Sequence, residues 1–222
     1  MLQRLGVRAT FYVPILLSDV CANPGPWRAM AAAGHELGNH SLFHPCRQRD
    51  DEPLEWLDQG LDLATYTPRR LHAELEVANR VLAMVDGEAS RSYGNTCSDT
   101  AIGSGAERQP MAPVLRDLFV GARGALTNRV ADPRTTDLFD VGCFNGDGRT
   151  FTELTDIVEM AEREAAWAVV MFHGVGPEHA LHVEEDVHDR FVTWLAERRD
   201  RTWTAPFATV AAQLRAVRRS SA

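Results

Sequence analysis

The sequence has no lysine at all; every one of its 23 basic side chains is arginine. Nothing in their arrangement calls for the forked geometry of arginine, so the bias reflects coding rather than a designed surface. Acidic residues outnumber them, 31 to 23, and the formal net charge of −8 excludes the basic face that a nucleic-acid partner requires. There is no apolar run near the ~20 residues of a membrane span. No charged-then-apolar leader precedes the first strand, so the expected location is cytoplasmic by default, without an export signal. Cysteine is scarce: Cys21, Cys46, Cys97 and Cys143 are widely spread and form no Cys-x-x-Cys pair. They are expected as free, partly buried thiols rather than a disulfide framework.

What is present is an ordinary globular composition. A chain of 222 residues, 45% of them hydrophobic, is enough for one sizeable core, and residues 1–222 are expected to form a single domain. The order of elements is strand–helix alternation without internal repeats, which points to a parallel α/β barrel. Met1–Gly6 reads as a helix tail closed by glycine, and Arg8–Val13 as a β-branched and aromatic strand ended by Pro14. A short helix covers Pro26–Ala33. The clearest helix is Pro68–Val85, with Leu71, Leu75, Leu82 and Val85 near a 3.6-residue period. Strands are expected at 89–94, 119–122, 138–144, 167–172 and 202–205. Thr152 is expected to cap a helix reaching about Ala166, and Val183–Arg199 reads as an amphipathic helix whose His182 and His188 are solvated.

The chemistry concentrates in Gly34–Pro45. His40 and His44 stand four residues apart on one turn of helix or a tight loop, a spacing that turns two imidazoles the same way. Such a pair serves a divalent metal, or else capping and packing. A second candidate is His173, delivered by the apolar run Trp167–Phe172 at the end of a strand, where parallel barrels carry their chemistry. Its placement suits proton transfer, with a satisfied core histidine as the alternative.

The stretch His40-Ser41-Leu42-Phe43-His44-Pro45 resembles the His-Ser/Thr-x-x-His-Pro motif of the polysaccharide deacetylases, the NodB-homology or carbohydrate esterase 4 group. Arg91-Ser92-Tyr93-Gly94 is similar to that family's third motif, Arg-x-Pro-Tyr-Gly, without its proline. The apolar strand ending in His173 is similar to the fifth. The resemblance implies a distorted parallel (β/α) barrel covering the whole chain, lacking the first β/α unit. It implies a divalent metal, zinc above all, on His40 and His44. Arg91 would orient the catalytic aspartate, and the backbone N–H of Tyr93 would help to hold the oxyanion, with Gly94 beside the substrate. His173 would be the general acid.

The implied substrate is an acetylated poly- or oligosaccharide that loses N- or O-acetyl groups. The sequence does not name the sugar or fix the oligomeric state. The family's Asp-Asp-Gly, which supplies the general base and a third metal ligand, does not occur in this sequence. Two imidazoles without that carboxylate make a weak site. A catalytically impaired glycan-binding barrel, or a hydrolase of non-peptide C–N amide bonds, is therefore kept as the alternative. The acidic-aromatic fourth motif has no clear place; neither Asp137 nor Asp140 receives a role.

Overall fold

The computed structural model describes residues 1–49, 51 and 53–220. In chain order the main elements are α1 (Leu2–Leu5), β1 (Thr10–Val13), α2 (Pro24–Ala32), β2 (Glu36–Asn39), α3 (Pro68–Asp86), β3 (Tyr93–Gly94), β4 (Ala101–Ile102), β5 (Gln109–Pro110), α4 (Ala112–Leu118), β6 (Ala122–Leu126), β7 (Val141–Asn145), α5 (Phe151–Glu164), β8 (Val170–Met171), α6 (Glu185–Glu197) and α7 (Phe207–Ser220). The chain divides into two compact units: Thr10–Ala125 with Leu138–Asp140, and Met1–Ala9 with Leu126–Asp137 and Val141–Ala222.

The first unit is built on parallel pairing of β1 with β2, β2 with β3 and β3 with β6. Helix α3 covers this sheet. Thr67 caps its start by accepting the Arg70 N–H, Pro68 pre-sets the first turn, and Gly87 closes it at φ 77°. Leu71, Leu75, Ala78 and Leu82 recur at helical spacing and are all buried. Val13, Ile15, Val20 and Leu37 pack against Ala78 and Leu82. The ring of Tyr12 crosses β2 and β3 at Gly38 and Gly94, where an added Cβ would lie 2.6 and 2.9 Å from ring carbons. Both positions therefore accept only glycine without displacing the ring.

The strand expected over 89–94 shrinks to Tyr93–Gly94. Upstream of it the backbone is taken by side chains: Glu36 accepts the Ser92 N–H at 2.7 Å, and Arg91 donates to Glu88 O. The Arg91 guanidinium is buried and faces Asp86, at 3.1 and 3.2 Å, with a further bond to Leu37 O at 2.6 Å. The segment after Gly94 carries a small antiparallel pair, β4 with β5.

In the second unit β7 pairs in parallel with β8. Helix α5 begins earlier than expected: Thr150, not Thr152, is the cap, because Glu153 then sits three residues on and closes a reciprocal capping box. Leu154, Val158, Val183 and Phe191 form one cluster, and Val141, Phe207 and Ala211 another. The run 167–172 is half-buried, not sealed on both faces. Its ladder is split, since Trp167 pairs with Ala131 and only Val170–Met171 joins β7. Residues 202–205 form no strand.

His188 is also not the solvated residue expected; its side chain is 13% exposed. Burial holds its pKa below the ordinary 6.5, against the opposing pull of Asp189. That carboxylate stands 3.5 Å from Nδ1, too far for a directed bond.

Two outcomes follow. Asp86→Ala leaves the buried Arg91 charge without its carboxylate and should cost about 3–5 kcal/mol, read by urea unfolding. The unfolded chain protonates position 188 before the folded one does, so stability is present above about pH 6.5 and lost as pH falls below it. His188→Gln should flatten that acid-side loss in denaturation series run from pH 7.5 down to about pH 5.

Candidate metal centre and histidine–aspartate pair

His40 leaves the C-terminal end of β2, and the turn behind it is fixed by Asn39. That buried side chain donates to Leu75 O at 3.0 Å and Asn79 Oδ1 at 2.8 Å, and accepts the Ser41 N–H at 2.7 Å. Ser41 Oγ in turn accepts the His44 N–H at 2.8 Å. Ser41 and His44 sit at φ 69° and 56°, left-handed conformations costly for such residues and held here by the surrounding bonds. The buried Glu74 carboxylate also supports the loop, accepting from Phe43 N at 3.4 Å and from the Tyr66 hydroxyl at 2.9 Å. Burial pushes the Glu74 carboxyl above its usual range, with those two bonds pulling it back.

The two imidazoles come together, their ring centres 4.9 Å apart and nearly perpendicular. His40 Nδ1 lies 2.7 Å from Gly94 O. A carbonyl only accepts, so the proton is on Nδ1 and Nε2 keeps its lone pair. This backbone-anchored tautomer is the arrangement metal-ligating histidines adopt. Gly94 thus belongs to the site through its carbonyl oxygen, beside the Tyr12 ring. The donor pair fits a divalent ion; the family's carboxylate ligand has no counterpart beside it among the described residues.

Arg91 and Tyr93 are placed differently. The carboxylate that Arg91 holds is Asp86, at the end of α3. The Tyr93 N–H donates to Gly121 O at 3.0 Å, because β3 uses it to pair with β6. The Tyr93 ring is fully buried against Phe119, and burial raises its phenol pKa. His40, His44 and Gly94 are therefore brought together, while Arg91 and Tyr93 are committed to the scaffold.

In the second unit, His173 follows β8 and meets Asp147, which sits in the Gly146–Gly148 turn after β7. His173 Nδ1 is 2.5 Å from Asp147 Oδ2, and the His173 N–H donates to Oδ1 at 3.0 Å. The carboxylate is 7% exposed and the imidazole 41%, so a buried acid fixes a ring whose Nε2 side is open. His179 stacks on that ring at 6.0 Å. Asp147 received no role in the sequence reading. Its position at the C-terminal end of a strand was the available signal.

The cysteines correct the expectation of four free thiols. Cys46 and Cys97 form a disulfide, Cα atoms 5.6 Å apart, while Cys21 is free and exposed and Cys143 free and buried. The partners are 51 residues apart, and only the fold brings Pro45 O within reach of the Thr96 hydroxyl. Cys46 Sγ also lies 3.7 Å from His44 Nδ1.

Each unit has parallel β/α architecture and carries a histidine at the end of a strand. Residues 1–97 match the family model described as polysaccharide deacetylase. A solved protein from Mycobacterium smegmatis, described as a candidate polysaccharide deacetylase, is 17% identical; the match covers 97% of this chain and 74% of that one, with a TM-score of 0.60. A carbohydrate esterase 4 family pseudoenzyme from Bacillus anthracis is 12% identical, covering 95% and 57%, with a TM-score of 0.50. A gellan lyase from Bacillus sp. is 25% identical over 124 residues, 56% of this chain and 4% of that protein. The chain thus spans a small part of this curated relative and little more than half of the pseudoenzyme. Residues 1–97 thus match the polysaccharide deacetylase model, a stretch that holds the His40–Pro45 and Arg91–Gly94 motifs, and the chain shares the parallel β/α fold of the Mycobacterium smegmatis protein.

Thiol titration of the denatured, unreduced protein should return two thiols, Cys21 and Cys143, and four after a reductant. For a loop of 51 residues the chain-entropy relation gives a stability loss on reduction of about 4 kcal/mol, measurable as a lower urea midpoint.

Proposed function

We propose that this chain is a metal-dependent hydrolase that removes N- or O-acetyl groups from an acetylated poly- or oligosaccharide. The observation that carries this reading is the His40 Nδ1–Gly94 O bond, which presents Nε2 as a ligand beside the second imidazole. His40 and His44 would hold the ion, with zinc the expected metal. Bound there, a divalent ion supplies Lewis-acid polarisation of the acyl carbonyl and lowers the pKa of water from 15.7 to about 7.

The protein's own part is positioning and proton transfer. The Asn39 and Ser41 bonds fix the direction of both imidazoles. The Asp147 carboxylate accepts from His173 Nδ1 and so orients the ring. By the family resemblance, His173 would be the general acid that protonates the departing amine or alkoxide. The Tyr93 N–H is bonded to Gly121 O, so in this reading oxyanion stabilisation would fall to other donors.

A second reading, glycan binding without hydrolysis, draws on one observation. Both third-motif residues, Arg91 and Tyr93, are engaged in the scaffold. Zinc content and acetate release separate the two. With zinc in excess, the chain should bind about one ion and release acetate from an acetylated oligosaccharide. His44→Ala should lose both. His173→Ala should keep the zinc and turn over about 10²–10⁴-fold more slowly. Affinity for the oligosaccharide with no acetate release by the unaltered chain would establish the binding-only reading. Full-rate hydrolysis by His173→Ala would remove His173 from the role of acid.

A further inference from the structure

His44 belongs to a second constellation that the hydrolase reading does not use. His44, Cys46 and Cys97 place one nitrogen and two sulfurs all within 4.8 Å of one another, the one such three-donor group found among the described residues. With the S–S bond broken, the two sulfurs must separate to about 3.8 Å to share one tetrahedral zinc with bonds of about 2.3 Å. Tetrahedral zinc with bonds of about 2.3 Å to sulfur and 2.0–2.1 Å to nitrogen sets sulfur and nitrogen ligands about 3.6 Å apart. Cys46 Sγ and His44 Nδ1 are already 3.7 Å apart.

We propose that reduction of the Cys46–Cys97 disulfide creates a zinc site from His44 Nδ1 and the two thiolates, so that metal uptake at this corner is gated by redox state. The step requires a two-electron reductant: two electrons and two protons convert the S–S bond to two thiols, while a dithiol closes its own disulfide or a phosphine, with water, becomes its oxide. Zinc then displaces one proton from each thiol and bonds both sulfurs. Two cysteines and one histidine fill three of four tetrahedral positions and leave one open to water or an oxygen ligand.

The loops that carry the sulfurs do not depend on the disulfide to stay together. Thr96 Oγ1 donates to Pro45 O. The Arg47 N–H donates to Asp99 Oδ2 at 2.9 Å, and its guanidinium donates to Ala101 O at 3.0 Å and Gly103 O at 3.1 Å. Leu63 N donates to Cys46 O at 2.9 Å, and Gly103 N to Leu63 O at 2.9 Å. These bonds run from the Pro45–Arg47 segment, directly or through Leu63, to residues around Cys97. Cys46 is fully buried and Cys97 partly so, which shields the pair while leaving one sulfur approachable by a reductant.

The inference shares His44 with the proposed hydrolytic site but requires no hydrolysis, and His40→Ala separates the two. In that variant the remaining metal-binding capacity is the cysteine site alone. Dialysed against zinc after reduction by a phosphine that is then removed without air, His40→Ala should hold about one zinc per chain. The unreduced form should hold none. The reduced, cobalt-loaded form should show thiolate-to-cobalt charge-transfer absorption in the near ultraviolet. Cys97→Ser, at the less buried partner, should lose both signals while circular dichroism stays that of the parent. A measurement that needs no cysteine variant is zinc protection of two thiols from alkylation in the reduced chain.

Equal zinc content before and after reduction, or unprotected thiols with no charge-transfer band, would overturn the proposal and leave the disulfide a purely structural link. Acetate release is read separately on the unaltered chain. Its absence bears on the hydrolase reading and not on this site.

Discussion

The Asn39 side chain has no water to satisfy it, and in its buried position each unmet hydrogen bond would cost roughly 1–3 kcal/mol. Its amide must therefore reach both Leu75 O and Asn79 on α3, and its oxygen must take the Ser41 N–H. That requirement ties the end of β2 to the middle of the best-formed helix. The left-handed turn at Ser41, the Ser41–His44 bond and the facing of the two imidazoles all depend on it. The histidine pair is thus an extension of the packing between α3 and the sheet, and its precision is borrowed from that core.

The same logic explains the split behaviour of the family-like residues. Gly94 serves through its carbonyl, which needs only the backbone and the absence of a Cβ against Tyr12. Arg91 and Tyr93 have larger obligations: a buried guanidinium requires a carboxylate, and an N–H inside a parallel ladder requires a carbonyl. Both find those partners in Asp86 and Gly121. Family likeness and retained chemistry are separate properties here, carried by different atoms of one short segment.

Much of this was legible in the sequence. The helix over 68–85 announced itself by its leucine spacing, its proline start and its glycine end, and Gly34–Pro45 by two histidines within one turn. The strand at 89–94 was overestimated because Glu36, 56 residues away, takes the Ser92 N–H that a ladder would have used. His188 was misjudged because helical position says little about what Phe172 presses against it. The disulfide lay beyond any spacing rule, since its loop closes only when α3 has folded between the two cysteines. Asp147 was hidden by its own turn: glycines on both sides advertise a change of direction, not the acceptor for a distant imidazole.

The Cys46–Cys97 bond also changes what counts as one chain. It encloses the polar excursion before α3, α3 itself and β3 in a covalent ring, with the His44 loop at one end of the closure. A protease that cuts within the exposed stretch around Trp56 therefore opens the ring without releasing a fragment. The two pieces remain a single molecule under oxidising conditions, and the corner bearing His44 stays attached to α3 through sulfur.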